Sequence, residues 1–203
     1  LPIFSYDNGY FADKYQGVPA EGFTKMFERI LDHPNIDVRL HTEAKDVLKI
    51  VENKVYFENE PFEGKVVFTG PLDEFFGCKY GRLSYRTLRF DFEHYDQEDY
   101  QGHSVVNYTV DQDYTRITEY KWLTGQKCEG TTISKEYPFA YTGAEGEIPY
   151  YSIANEENHA LYAKYRDEVK EVENFHLLGR LAEYQYYNID VMVDRALELA
   201  ENL

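Results

Sequence analysis

The clearest pattern of apolar and polar positions lies near the carboxyl end of the chain. Apolar side chains recur there at the spacing of one face of an α-helix. They are Ile189, Met192, Val193, Ala196, Leu197 and Ala200. Asn188 precedes this stripe, and we expect it to be the N-cap residue, whose side-chain oxygen accepts a free backbone N–H. The sequence therefore predicts an amphipathic helix that begins after Asn188.

A short apolar run at residues 175–178 and a Gly-Arg pair come before that helix. The run predicts a buried strand. Gly179 lets a ligand approach the backbone, Arg180 supplies a forked cation, and the helix N-terminus adds partial positive charge. Two interpretations remain open: an anion-binding site, or an ordinary strand–loop–helix with a surface arginine.

The amino-terminal region shows an extended segment followed by a helix. Residues 1–18 surround the turn signal Asp7-Asn8-Gly9. An apolar stripe at helical spacing then predicts a helix, which the run Asp32-His33-Pro34-Asn35 ends. Its members are Phe23, Met26, Phe27, Ile30 and Leu31.

Alternating patterns predict strands between this helix and residue 70. Val38 and Leu40 alternate with polar neighbours. Residues 47–50 and 55–57 flank a polar triplet and predict a hairpin. Residues 65–70 form a continuously apolar strand, of the kind usually buried on both faces of a layered sheet, with Thr69-Gly70 at its carboxyl edge.

The middle of the chain is rich in β-branched and aromatic residues separated by polar turns. We expect it to form an antiparallel sheet with one solvated face. The predicted strands are 83–92, 104–110, 114–122 and 131–137. A loop at 138–151 and a polar helix at 155–170, with Leu161, Tyr165 and Val169 inward, follow. This order predicts a mixed α+β and α/β fold, in which an antiparallel sheet domain is inserted into an incomplete α/β domain.

Composition limits the classes of function. The 203 residues carry a formal charge of −16, which argues against a nucleic-acid or anionic-membrane partner. No apolar run has the length of a membrane span, and no signal peptide is apparent. Cys78 and Cys128 lack metal spacing and favour a reducing, cytoplasmic compartment. The six histidines form no metal pattern. The chain starts at Leu1 without an initiator Met, so we expect a piece of something longer.

The candidate ligand-binding residues are arginines and tyrosines at predicted strand ends. Guanidinium groups bind phosphate oxygens bidentately, and phenols donate hydrogen bonds without adding negative charge, so together they suit a diphosphate. The residues are Arg86, Arg116, Arg180, Tyr10, Tyr151 and Tyr186. The alternative is that Arg86 and Arg116 pair with Glu93, Glu119 or other acids on a polar sheet face. Glu119 and Glu136 could serve as general acid/base groups, but with no partner visible in the sequence we expect them to be solvated strand residues.

Several stretches resemble the UDP-galactopyranose mutases. They are YDNGYF (6–11), YQGVP (15–19), FTGP (68–71), YTRI (114–117), KEYP (135–138), PYY (149–151) and GRLAEY (179–184). The match is collinear and covers essentially the whole chain. The resemblance implies a flavoenzyme, an isomerase that interconverts UDP-galactopyranose and UDP-galactofuranose for galactofuranose and cell-wall polysaccharide synthesis. In that family N5 of a reduced flavin acts as the nucleophile at the anomeric carbon.

The resemblance also implies roles for individual residues. The catalytic residues would be Arg116, Tyr151, Tyr186 and Asn188. The substrate-binding residues would be Tyr10, Asn107, Arg116, Tyr150, Tyr151 and Tyr186. The FAD-binding residues would be Thr69, Gly70, Arg86, Gly179, Arg180, Asn188 and Ile189. No metal is implied. UDP-galactose and UDP-galactofuranose would be the partners, and a homodimer is compatible with the family.

The chain departs from the family pattern in several ways, and two of them bear on the cofactor and the site. The amino-terminal GxGxxG segment for FAD is absent, so the chain corresponds to the carboxyl-terminal portion of a mutase and should bind FAD poorly alone. Asn188 replaces the usual Asp. On this basis residues 20–71 and 152–203 would be the remainder of a Rossmann-like FAD-binding domain, and 1–19 and 72–151 the substrate-binding sheet domain.

Two further hypotheses stay open. The chain could be a non-catalytic module that binds nucleotide sugars, which a chain truly beginning at Leu1 would favour. It could also be a fragment of an FAD-dependent oxidoreductase, which predicts hydride transfer and gives no reason for a diphosphate clamp.

Overall fold

The computed structural model describes residues 13–203, and within them the chain is a mixture of helices and strands. The helices are α1 Gly22–Leu31, α2 Ala44–Val47, α3 Leu72–Phe75, α4 Tyr120–Thr124, α5 Glu156–Asp167 and α6 Ile189–Asn202. The strands are β1 Leu48–Val51, β2 Lys54–Phe57, β3 Glu60–Pro61, β4 Val66–Phe68, β5 Tyr85–Tyr95, β6 Val105–Asn107, β7 Arg116–Glu119, β8 Thr131–Ala140, β9 Tyr151–Ser152 and β10 Phe175–Leu177. The turn predicted around Asp7-Asn8-Gly9 lies outside the described residues.

The strands form sheets of three sizes. The largest has five strands in the order β6-β7-β8-β5-β9, with β5 and β9 antiparallel. A three-stranded antiparallel sheet runs β1-β2-β3. The third is the parallel pair β4 and β10. The fold is therefore mixed, with an antiparallel sheet, as the sequence predicts.

The predicted hairpin is confirmed in β1 and β2. Leu48 pairs with Phe57, and Val51 pairs with Lys54, so the turn consists of Glu52 and Asn53. Both turn residues have left-handed backbones, with φ of 49° and 61°. Two consecutive left-handed residues match the twist of a two-residue hairpin turn, and Asn tolerates this conformation well.

The apolar runs at 65–70 and 175–178 pair with each other. Val66 lies opposite Phe175, and Phe68 lies opposite Leu177. Burial on both faces was expected for β4, but this is wrong, because Val67 is 39% exposed while Val66 and Phe68 are buried. Thr69 and Gly179 follow the carboxyl ends of these two strands.

Packing divides the chain into two compact units. Among the described residues, the first packing unit comprises residues 13–38 together with Glu93–Val106 and Thr118–Ile133. The second comprises Arg39–Phe92, Asn107–Ile117 and Ser134–Leu203. The domain limits inferred from the resemblance stay a prediction.

The second packing unit contains a core with three buried tyrosines, two of which have hydrogen-bonded hydroxyls. Tyr165 is fully buried, donates to the carbonyl of Gly81 at 2.7 Å and accepts the N–H of Tyr80 at 2.9 Å. The Tyr184 hydroxyl donates to the carbonyl of Ser84 at 2.6 Å. These bonds let Tyr165 and Tyr184 be buried with paired hydroxyls, whereas the buried hydroxyl of Tyr85 has no hydrogen-bond partner among the described residues. The core includes Val55, Val66, Phe68, Leu72, Leu83, Tyr85, Tyr165, Val169, Val172, Phe175, Ala182 and Tyr184.

The first packing unit contains a buried carboxylate, Glu119, with no exposed surface. It accepts the N–H groups of Tyr100 and Gln101 at 2.8 and 2.9 Å and the hydroxyl of Thr131 at 2.6 Å. Burial opposes ionisation, but these hydrogen bonds hold the pKa of Glu119 below its usual value. The prediction that Glu119 is a solvated strand residue is therefore wrong.

Two other secondary-structure predictions fail. Val38 and Leu40 are in an exposed segment without strand pairing, because an alternation of two apolar residues is too short to specify a strand. Trp122, expected in a strand, lies in α4 and is 52% exposed. Gly125, with φ of 72°, ends that helix.

The two helices predicted before the carboxyl-terminal one, an apolar-striped helix near residues 23–31 and a polar helix at 155–170, are both confirmed. α1 contains the expected stripe, although Phe23, Phe27 and Ile30 are exposed. α5 begins after Asn155, whose side-chain oxygen accepts the N–H of Asn158 at 2.8 Å as an N-cap. Among residues 13–203, no helix has the length and apolar character needed to cross a membrane.

Candidate functional site

Three neighbouring strands bring Arg116 next to an amide and a carboxylate. Asn107 ends β6, Arg116 begins β7 and Glu136 lies on β8, which pair in that order. Arg116 Nε donates to Asn107 Oδ1 at 3.0 Å. Arg116 Nη1 lies 3.6 Å from Glu136 Oε2, which is too long for a strong hydrogen bond. The Arg116 guanidinium is thus oriented but only weakly neutralised, and 40% of its side chain is exposed.

Glu136 is not the solvated strand residue that the sequence predicts. Its side chain is only 15% exposed. The Thr115 hydroxyl lies 3.4 Å from its carboxylate and 3.3 Å from its carbonyl oxygen. The alternative in which Arg116 pairs with an acid is therefore realised in part, with Glu136 as the acid and not Glu119.

Two of the predicted tyrosines lie together, and one of them, Tyr151, is close enough to Arg116 to interact with its charge. The ring centroids of Tyr151 and Tyr186 are 5.9 Å apart, and that of Tyr150 is 6.4 Å from Tyr151. Burial raises the pKa of Tyr151, and so does the charge of Glu136, while Arg116 and Arg180 oppose the rise. Tyr151 therefore remains a neutral O–H donor at neutral pH. We call Asn107, Arg116, Glu136, Tyr151 and Tyr186 the Arg116 cluster.

Arg180 lies against Tyr186. Its guanidinium carbon is 4.4 Å from the centroid of the Tyr186 ring, and its Nε donates to the carbonyl of Tyr187 at 2.6 Å. A guanidinium over an aromatic face is attracted by the ring quadrupole. Arg180 and Tyr186 are therefore in direct contact.

A carboxylate that the sequence did not single out organises the turn after β10. The Glu183 carboxylate accepts hydrogen bonds from the N–H of Gly179 at 3.0 Å, from the hydroxyl of Tyr187 and from a terminal N–H of Arg195. Burial and the bond to Glu183 raise the pKa of Tyr187 to about 12. Gly179 has φ of 105°, a conformation that only glycine adopts readily. The signal available in the sequence is an acidic residue four positions after the glycine that follows the apolar run at 175–178.

The last helix forms where it is predicted, but its N-cap contact and its buried face differ from the prediction. Asn188 occupies the N-cap position of α6, but its side chain caps no backbone group; its Oδ1 accepts the Tyr186 hydroxyl at 3.3 Å. Ile189, Val193 and Leu197 are 65%, 53% and 61% exposed. The helix instead packs with a face displaced by about one residue, which contains Met192, Arg195, Ala196 and Leu199.

The residues predicted to hold a flavin are only partly grouped. Thr69 and Gly179 are adjacent, since a Cβ on Gly179 would lie 3.7 Å from Thr69 Cβ. Arg86 lies on β5 opposite Tyr151 on β9. The cation of Arg180 fits an anionic cofactor edge, whereas the Gly179 N–H is already bonded and Asp190 places a negative charge in the first turn of α6. Tyr10 lies outside the described residues. Within residues 13–203, no three His, Cys, Asp or Glu side chains are grouped to hold a metal ion.

Comparison with known proteins decides the family. The family model described as "GLF: UDP-galactopyranose mutase" matches residues 1–186. The chain belongs to the UDP-galactopyranose mutase family. The resemblance inferred from the sequence is thereby confirmed.

Curated relatives of this mutase family match nearly all of the chain. It is 41% identical to the probable UDP-galactopyranose mutase of Klebsiella pneumoniae, covering 99% of this chain and 50% of that protein. It is 38% identical to the UDP-galactopyranose mutase of Mycoplasma pneumoniae, covering 93% and 48%. It is 36% identical to the dTDP-fucopyranose mutase of Escherichia coli, covering 99% and 52%. The chain spans about half the length of the curated relatives it matches.

Proposed function

We propose that this chain forms the carboxyl-terminal, substrate-binding portion of a flavin-dependent UDP-galactopyranose mutase. The observation that carries the proposal is the Arg116 cluster, which groups an oriented arginine with Tyr151 and Tyr186 in a chain that belongs to a mutase family. The substrates would be UDP-galactopyranose and UDP-galactofuranose. A bound reduced flavin would supply a nucleophilic N5 for attack at the anomeric carbon of the sugar.

Arg116 would bind the diphosphate. Its bond to Asn107 fixes the plane of the guanidinium, so little side-chain entropy remains to be lost when phosphate oxygens bind. A planar guanidinium can then form two parallel hydrogen bonds to the diphosphate. This charge also stabilises the UDP that departs when the bond to the anomeric carbon breaks.

Tyr151 and Tyr186 would donate their hydroxyl hydrogens to the same oxygens. A raised pKa keeps the phenol of Tyr151 protonated, so it adds a donor without adding repulsion. Tyr150 and Tyr10 would extend this set, and Asn107 would contact the sugar. Asn188, bonded to Tyr186, would help to place that phenol rather than carry a charge.

The flavin would lie on the side of Thr69, Gly70 and Gly179, with Arg180 near its edge. Arg86, Asn188 and Ile189 complete the proposed set. In this arrangement the antiparallel sheet is an insertion in a Rossmann-like FAD-binding domain, divided at the limits given above. The homodimer and the cytoplasmic location stay predictions.

A dTDP-linked sugar is a second candidate substrate. The similarity to a dTDP-fucopyranose mutase over 99% of the chain supports it. The Arg116 cluster would bind the diphosphate that both nucleotides contain, so it does not distinguish them.

Calorimetric titration of the protein with UDP and with dTDP tests the proposal. We expect Arg116→Ala to weaken UDP binding by roughly 10- to 100-fold, because a charge-assisted hydrogen bond contributes about 1.5–3 kcal/mol. Arg89→Ala is the matched control, since Arg89 is an exposed arginine of the same unit that pairs with Asp91. Equal losses in the two folded variants would contradict the assignment.

A further inference from the structure

Arg180 contacts three consecutive residues of the segment that carries Tyr186. Its backbone carbonyl accepts the N–H of Gln185 at 3.1 Å. Its guanidinium lies 4.4 Å from the ring centroid of Tyr186, and its Nε donates to the carbonyl of Tyr187 at 2.6 Å. The backbone carbonyl, the guanidinium and the Nε–H donor of Arg180 therefore all constrain the same short segment, residues 185–187.

Tyr186 needs such a constraint because burial does not supply one. Its side chain is 56% exposed, whereas Tyr184 and Tyr187 on either side are 1% and 8% exposed. Tyr184 and Tyr187 are held by packing and by bonds from their hydroxyls to Ser84 and Glu183. An exposed tyrosine without comparable packing populates several rotamers, and only one of them directs the hydroxyl at a given ligand atom.

We propose that Arg180 is a positioning residue that acts through Tyr186. It holds the Tyr186 phenol beside Tyr151, so that the hydroxyl is already in place when a nucleotide diphosphate binds. This inference rests on the proposed function, because the ligand is the diphosphate of the Arg116 cluster. The positioning role is separate from the flavin contact expected of Arg180, because it uses the Nε–H and the face of the guanidinium.

The alternative is that Arg180 attracts the diphosphate directly by its charge. The two roles differ in how Arg180 and Tyr186 combine. If Arg180 acts through Tyr186, its removal costs little once Tyr186 has been removed. If it acts on the ligand directly, the two losses add.

A double-mutant cycle measured by UDP titration separates these roles. We expect Arg180→Ala and Tyr186→Ala each to weaken UDP binding by roughly 5- to 10-fold. The UDP affinity of the double variant should then be within about twofold of that of the single variant that binds UDP more weakly. Losses that multiply in the double variant would overturn the proposal.

Arg180→Lys sharpens the cycle, because lysine keeps the positive charge but lacks both the planar face and Nε. We expect it to behave like Arg180→Ala, and restoration of wild-type affinity would overturn the positioning role. Arg89→Ala is the matched control, since the Arg89 guanidinium also lies 4.4 Å from a tyrosine ring centroid, that of Tyr137. It should leave UDP affinity unchanged.

A measurement without ligand keeps the inference separable from the proposed function. Hydrogen–deuterium exchange of the peptide covering residues 184–188 should be several-fold faster in Arg180→Ala and unchanged in Arg89→Ala. If the wild-type protein fails to bind UDP, the proposed function fails, and this measurement alone decides the positioning role. Unchanged exchange in folded Arg180→Ala would overturn it.

Discussion

Strand β7 begins with Arg116 and ends with Glu119, and these two charged residues have opposite surroundings. Glu119 is fully buried and accepts two backbone N–H groups and a threonine hydroxyl. Arg116 is 40% exposed, bonded to one amide oxygen and 3.6 Å from the nearest carboxylate in the described part of the chain. The buried charge is satisfied by the protein itself, whereas the exposed one retains capacity for a ligand.

The next charged residue along the chain follows the pattern of Glu119. Lys121 donates to the backbone carbonyls of Glu98, Cys128 and Gly130 at 2.6, 3.2 and 3.0 Å. Glu119 and Lys121 therefore tie loops of the first packing unit by their backbones. Charge alone does not mark a binding residue, and the number of protein partners that it already has separates a structural group from a candidate ligand group.

The largest expected effect is on stability. Glu119→Ala leaves two N–H groups and the Thr131 hydroxyl without their acceptor, so we expect a loss of at least about 3 kcal/mol in the free energy of unfolding. Urea denaturation measures it. Glu129→Ala, an exposed acid in the same unit, should change stability by less than about 0.5 kcal/mol. A Glu119→Ala protein as stable as the control would show that the carboxylate is not an anchor.

The second effect is a pH dependence. The folded-state pKa of Glu119 lies below its unfolded value, so its stabilisation is present above the usual glutamate pKa of about 4.3 and is lost as the pH falls through the folded pKa. We expect Glu119→Gln to lose about 1–2 kcal/mol at pH 7 and to approach the wild type in acid. Denaturation at a series of pH values tests this. A constant difference would rule out titration of Glu119 as the cause.

The smallest expected effect concerns the weakly neutralised arginine. Glu136→Gln removes a negative charge beside Arg116, and because the 3.6 Å contact orients the guanidinium little, lost repulsion should dominate. We expect UDP to bind roughly fivefold more tightly at low salt, equivalent to about 1 kcal/mol. The gain should shrink as ionic strength rises. Glu63→Gln, at an exposed acid, is the control and should leave UDP affinity unchanged. Weaker UDP binding in Glu136→Gln would mean that Glu136 orients Arg116.

The sequence predicts the local features of this chain better than its long-range ones. The hairpin around residues 52–54, the stripe of α1 and the polar helix at 155–170 depend on neighbouring residues, and all three are confirmed as elements. Trp122 lies in a helix of one and a half turns, too short to show a period. The approach of Glu136 to Arg116 depends on strand pairing, and the bond between Asn188 and Tyr186 replaces a cap that sequence spacing favours. The family resemblance names Arg116, Tyr151 and Tyr186, and also Asn107, Arg180 and Asn188, but it could not give the contacts among them, because these depend on the folded structure.

The exposed residue Trp122 on α4 has a consequence for spectroscopy. It is the single tryptophan of the sequence, whereas the Arg116 cluster contains only tyrosine chromophores. Tryptophan emission therefore reports the surroundings of α4, which begins directly after Glu119, and tyrosine absorbance reports mostly the remainder of the chain. Unfolding curves from the two signals that coincide would identify one cooperative transition, and curves that separate would resolve the two packing units in solution.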